Sequence, residues 1–312
     1  MSRRRPYAFA LVLALAAAAC GRHLLPPEVP SAEIEARSQD DAREAFASLA
    51  HAFERVLDVS DRLRVANAAE CGARVGSDLG WVAWSDDDFD RHFRELAREF
   101  LGTSGQPVVV ALARDGAAAR AGVRLGDRVR RVGSSAVSDR DQIASAEHDL
   151  APDGATVVVE REGAELTVAV VPARACEQRV VLSQHQVINA VAHESNIYVT
   201  QRLVDVASDD ELAFALAHAL AMEIRGVNAA SLLREGEFVP EPATTRFAVQ
   251  LSQRAGFSVA GVERLLELQA TEQPNMVMGS HPQKVELGEI PRRVVALRMV
   301  RASLAAETQA AH

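Results

Sequence analysis

The sequence predicts an α+β protein of about two domains, on three observations. Apolar residues recur at helical spacing early in the chain, and toward its C-terminal end a capping box opens a run without Gly or Pro. Between these parts, residues 107–173 read as short strands separated by turns. The length, 312 residues, suits domains of roughly 100–200 residues each. Hydrophobic residues at 48% and charged residues at 25% place the chain among globular proteins and exclude collagen-like or wholly disordered classes. Aromatics are only 4%, so the core must be built from Ala, Val and Leu. No stretch reaches the ~20 apolar residues of a bilayer-spanning helix, which excludes a multi-pass protein. A net charge of −9 argues against a nucleic-acid partner, because neutralising phosphates needs a basic face.

The N-terminus reads as an address. Arg3, Arg4 and Arg5 precede an apolar run from Tyr7 to Ala19, too short to span a bilayer, which makes residues 1–19 a signal peptide. Ala17-Ala18-Ala19-Cys20 resembles a bacterial lipoprotein cleavage box. The resemblance implies that Cys20 is the lipidated first residue of the mature chain, with Gly21 after it sorting the product to the outer membrane. The alternative is an ordinary cleaved signal with an incidental cysteine. Loss of three arginines lowers the charge from −9 to −12, which suits a periplasmic body hung from a lipid rather than one held on an anionic surface. Residues 20–39, with Pro26, Pro27 and Pro30, read as the tether. Cys71 and Cys176 remain, and an even pair in an oxidising compartment reads as a disulfide, the alternative being two buried thiols.

Residues 40–106 form an N-terminal helical segment. Ala45, Phe46, Leu49, Phe53, Val56 and Leu57 predict one helix over about 40–69. A second is expected over 86–101, capped by Ser85 and with Asp86, Asp87 and Asp88 at the positive end of its dipole. Beyond it, Val108–Leu112 and Arg128–Val132 read as strands, and Ser138 with Asp141 as a capping box opening a helix to Leu150. Thr156–Arg161 and Glu165–Val171 read as a hairpin through Glu162-Gly163-Ala164. Asp115-Gly116-Ala117-Ala118-Ala119-Arg120-Ala121-Gly122-Val123, followed by Leu125-Gly126-Asp127-Arg128-Val129, resembles a PDZ domain of the bacterial periplasmic-protease kind. The resemblance implies a small β-barrel or sandwich over 107–173 that adds a peptide beside one strand edge, with loop amides holding its C-terminal carboxylate. It points to Leu101, Gly102, Thr103, Ser104 and Gly105 as that loop. The alternative is a module that only packs against its neighbours.

The C-terminal part opens with the strand Ile197–Thr200 and the connection Gln201–Ala207. A capping box at Ser208-Asp209-Asp210-Glu211 then starts a helix from Leu212 to Arg225. The run from Asn189 through His218, then Glu241-Pro242-Ala243-Thr244-Thr245, Arg254-Ala255-Gly256-Phe257, Ser280-His281-Pro282, Arg293 and Leu297, is similar to an envelope metallopeptidase family. That family includes the CAAX prenyl endopeptidase and HtpX. The similarity implies a zincin-like, mainly helical metallopeptidase domain with a small edge sheet over 177–305, its helix carrying HExxH. Such a motif places two histidines on one face to bind zinc, with the Glu between them as general base.

Here the five residues are His218-Ala219-Leu220-Ala221-Met222. Ala219 cannot accept a proton, and the Met222 thioether suits zinc poorly. Glu223 lies about 140° around the helix from His218 and is a poor substitute base. Thr245 replaces a carboxylate expected to orient the ligands. The similarity puts Glu241 and His281 at the other ligand positions, so His218, Glu241 and His281 form one candidate zinc site. The alternative is a buried or surface histidine and a helix-start Glu. His185, His193 and Glu194 show no ligand spacing. Loss of a positioned base typically costs ~10²–10⁴ in rate. The leading expectation is therefore a pseudo-peptidase without cofactor that binds polypeptide segments or an envelope protein. An active metalloendopeptidase and a purely structural lipoprotein body are the alternatives.

Overall fold

The computed structural model describes residues 31–91, 93–183, 185, 187–193, 196–226, 242–272, 297–300 and 302. The fold is α+β with open sheets. The chain divides into two compact units, Met1–Ala45 and Phe46–His312. In the first, helix α1 (Ser31–Ala66) begins, and Arg37 pairs with Asp41 along its surface. Helix thus takes in the end of the expected tether, since no Gly or Pro interrupts residues 31–66. Cys20 and the signal segment lie outside the described residues.

In the second unit, α1 leads through a short 3₁₀ turn to Cys71 and strand β1 (Val75–Asp78). Among the described residues, β1 pairs antiparallel only with β8 (Ala173–Cys176), so the chain enters and leaves the intervening module side by side. Cys71 and Cys176 are joined at the foot of this ribbon, with an S–S distance of 1.93 Å, and both are buried.

The module holds β2 (Trp81–Trp84), α2 (Arg94–Leu101), β3 (Val108–Leu112), α3 (Ala117–Ala121), β4 (Arg128–Val132), β5 (Ser135–Ala136), α4 (Arg140–His148), β6 (Ala155–Arg161) and β7 (Ala164–Val170). Its sheet runs in the order β2-β3-β4-β6-β7, with β5 attached to β4. The path is open rather than closed into a barrel, and Trp81–Trp84 joins it from ahead of residue 107. One core, from Leu79 and Trp81 to Val170, packs α3 and α4 on the sheet. The hairpin β6–β7 turns in two residues, Glu162 and Gly163, both at positive φ, as a tight hairpin matched to strand twist requires.

Two helix starts differ from expectation. The segment 86–101 is not one helix: Asp86–Asp88 is a 3₁₀ turn, after which Phe89 is extended and its ring packs on Trp84 at 5.4 Å. The Ser85 amide still donates to the Asp88 carboxylate at 2.8 Å. At α4 the cap is Asp139, whose Oδ1 accepts from the Gln142 amide at 2.8 Å, while Ser138 bonds the Gln142 side chain. The carboxylate one residue later is placed to reach the first free amides, so it displaces the serine from that role.

Beyond β8 lie β9 (Arg179–Ser183), β10 (Ala190–His193) and β11 (Asn196–Thr200), forming a three-stranded sheet in the order β10-β11-β9. Then come α5 (Gln201–Val206), α6 (Asp209–Ile224), α7 (Pro242–Arg254) and α8 (Val262–Glu272). A second, larger core joins α1, this sheet, α6, α7 and α8. Arg62 of α1 lies over the Phe257 ring at 4.1 Å, and the buried Asn67 donates to the carbonyls of Leu63 and Leu251.

Candidate functional site

Helix α6 carries the residues at issue. Its start is held by the reciprocal bonds of Ser208 and Glu211, at 2.7 and 3.3 Å. Glu211 is buried, and burial alone would raise its carboxyl. The hydrogen bonds from Arg264 and Ser208 outweigh that and hold it below the ordinary range. The helix is apolar nearly all round, with Leu212, Ala213, Leu216, Ala217, Leu220 and Ala221 fully buried. It is therefore a central core element rather than a surface helix.

Within it, Ala219 is 1% exposed, while His218 and Met222 are half-buried. The His218 ring sits 6.2 Å from the Phe214 ring, one turn earlier. His218 and Met222, four residues apart, share a face as the motif's two ligand positions would. Glu223 is committed elsewhere: its carboxylate accepts from Arg74 at 2.6 Å, and its carbonyl accepts from the same guanidinium at 3.0 Å. Thr245 is buried in α7. Glu241, His281, Arg293 and Glu194 lie outside the described residues, while His185 and His193 are exposed. A catalytic zinc needs about three protein ligands. Of the three candidate ligands His218, Glu241 and His281, only His218 is among the described residues, and its motif partners there are the Ala219 methyl and the Met222 thioether.

The loop singled out for peptide binding, Leu101–Gly105, makes its own contacts. Gly102 caps α2 in the left-handed region, and its amide bonds the Arg98 carbonyl. Thr103 donates to Asp86 at 2.9 Å, and the Ser104 carbonyl accepts from the Asp86 amide at 2.8 Å. Burial would raise the Asp86 carboxyl, but the bonds from Arg98 and Thr103 hold it low. This loop closes on α2 and the Asp86 turn.

A group of charged residues with no local sequence signal gathers at the head of β2. Asp61 and Arg64 come from α1, Asp78 from β1, and Glu147 from α4. Arg64 pairs with Asp78 and also donates to the Cys176 carbonyl at 2.8 Å. The other Asp78 oxygen accepts from the Gly80 amide at 2.6 Å. Glu147 accepts from the Trp81 indole N–H. Burial, reinforced by the Asp78 charge, pushes the Asp61 carboxyl up to about 6 and the Glu147 carboxyl up to about 8.

No protein-family model and no curated protein matches the chain.

Proposed function

We propose that this protein is a non-catalytic lipoprotein of the bacterial envelope that holds polypeptide segments or a partner envelope protein. In this reading a zincin-like framework has lost its chemistry and carries an inserted PDZ-like module. The observation that carries the reading is the Ala219 methyl, 1% exposed, at the position where hydrolysis needs a proton acceptor. The Met222 thioether, two residues from the helix end, where a second imidazole is needed, supports it further. The scaffold around both is intact: α6 is capped at Ser208–Glu211, and its Leu and Ala side chains are fully packed.

Support for the module's role comes from its open sheet. Among the described residues, β2 has β3 as its only sheet partner, leaving one strand edge for a polypeptide to extend by main-chain hydrogen bonds. The lipid anchor at Cys20 rests on the sequence resemblance. No helix of the described residues is long and apolar enough to cross a membrane.

The test is proteolysis of a reduced, alkylated substrate by the full chain in detergent, with and without chelator, beside metal analysis. The expected result is no chelator-sensitive cleavage and no stoichiometric zinc. The double variant Ala219→Glu with Met222→His is expected to take up zinc. Chelator-sensitive cleavage by the wild-type chain, abolished by His218→Ala, would overturn the reading.

A further inference from the structure

The open edge of β2 has a direction. A strand added antiparallel to Trp81–Trp84 runs its C-terminus toward Trp81, the start of β2. Any terminal carboxylate would therefore arrive at the turn Asp78-Leu79-Gly80. Two hydrogen-bond donors at that turn are already occupied by the protein's own carboxylates. The Gly80 amide bonds Asp78 at 2.6 Å, and the Trp81 indole bonds Glu147. Arg64 holds the Asp78 carboxylate from its other side and is itself anchored on the Cys176 carbonyl at 2.8 Å. Gly80 adopts a left-handed φ of +67°, and a Cβ built there would lie 2.7 Å from the Gly116 Cα, so the turn has no room to swing away.

We infer that the head of the β2 edge is capped from within, and that the module takes internal stretches of polypeptide rather than free C-termini. This inference rests on the reading of β2 as the peptide-adding edge. It names the ligand class for that edge: a chain that runs past the head, or one whose end carries no negative charge. Electrostatics point the same way. Asp61, buried and with no hydrogen-bond donor among the described residues, adds a third carboxyl beside Asp78 and Glu147, against the single close guanidinium of Arg64. Arg120 and Arg179 contribute only weaker, more distant attraction. An arriving carboxylate would thus meet occupied donors and, from Asp61 and Asp78, like charge, to which Glu147 adds only above about pH 8.

The experiment uses a randomised decapeptide pool made in two forms, one ending in a free carboxylate and one in an amide. Both are titrated by fluorescence anisotropy against the full chain in detergent. For the wild type the amide form is expected to bind at least as well as the carboxylate form. Asp78→Ala frees the Gly80 amide and should improve the carboxylate form about tenfold, the return of one charge-assisted hydrogen bond, with little change for the amide form. Measured at pH 9, where Glu147 is ionised, Glu147→Gln keeps an acceptor for Trp81 while removing charge. It provides a second variant and should improve the carboxylate form to a smaller extent. Circular dichroism checks that each variant folds. A wild type that prefers the carboxylate form tenfold overturns the inference while leaving peptide binding intact. Equal responses of both forms to both variants overturn it as well. Wild type and variants that bind neither form overturn the peptide-binding reading itself.

Discussion

Glu147→Gln is the substitution whose effect on stability is most sharply set by the structure. The Glu147 carboxyl is lifted from 4.5 to about 8, first by burial and then by Asp78, with Trp81, Arg64 and Arg179 pulling the other way. A carboxyl raised in the folded state binds its proton more tightly there than in the unfolded chain. Its stabilisation is therefore complete below about 4.5 and is lost as pH rises through about 8. At about 1.4 kcal/mol per tenfold, the whole displacement sets a ceiling of roughly 5 kcal/mol. The side chain is only half-buried, and solvent screening reduces the expected loss to about 2 kcal/mol. Asp61 adds a second loss, but within the lower window from 3.8 to about 6. Urea denaturation at pH 6 and pH 9 isolates Glu147. Only about two of the three and a half pH units of the window lie above pH 6, so the wild type should lose about 1 kcal/mol across that interval, and the Gln variant should stay nearly flat. A wild type whose stability holds or rises from pH 6 to 9, or a variant that falls equally, would refute the argument.

Two further outcomes follow from the same region. Replacing both Cys71 and Cys176 by Ser opens a loop of sequence separation 105, which encloses the whole module. The chain-entropy estimate for such a loop is about 4–5 kcal/mol, so a fall of roughly 3–5 kcal/mol in urea is expected, and one below about 1 kcal/mol would count against it. Gly80→Ala forces a Cβ to 2.7 Å from the Gly116 backbone at positive φ and should cost about 2–4 kcal/mol. Gly122→Ala is the control: its φ is +96°, but nothing lies within 4 Å of the new Cβ, so about 1 kcal/mol is expected. Equal melting-temperature losses in the two variants would show that the Gly80–Gly116 approach is unimportant.

Local signals were legible where the physics is local. The Ser208–Glu211 capping box, the two-residue turn at Glu162-Gly163 and the strand ending at Thr200 each depend on residues within a few positions. The expected helix over 86–101 failed because Phe89 is drawn into contact with Trp84 and Phe46, a tertiary demand that overrides helical propensity. The strand Trp81–Trp84 went unassigned for a related reason. Four residues between Gly80 and Ser85 carry too little periodicity to declare a sheet partner, and that partner, Val108–Leu112, follows only after an intervening helix. The candidate peptide loop at Leu101–Gly105 rests on the resemblance alone. Its polar groups turn inward to Asp86, and the edge strand begins elsewhere.

The residue types on α6 could be read directly from the chain, because a missing imidazole and a missing carboxylate are facts of covalent chemistry: no fold returns a proton acceptor to Ala219 or a nitrogen to Met222. Cysteine number and spacing likewise limited Cys71 and Cys176 to a bridge or two thiols. It took the ribbon of β1 against β8 to bring their sulfurs together. The head of β2 belongs wholly to tertiary structure. Asp61, Asp78 and Glu147 carry nothing distinctive in sequence, and they acquire shared charge and shifted protonation only because helix, ribbon and module converge on one guanidinium in a poorly hydrated space.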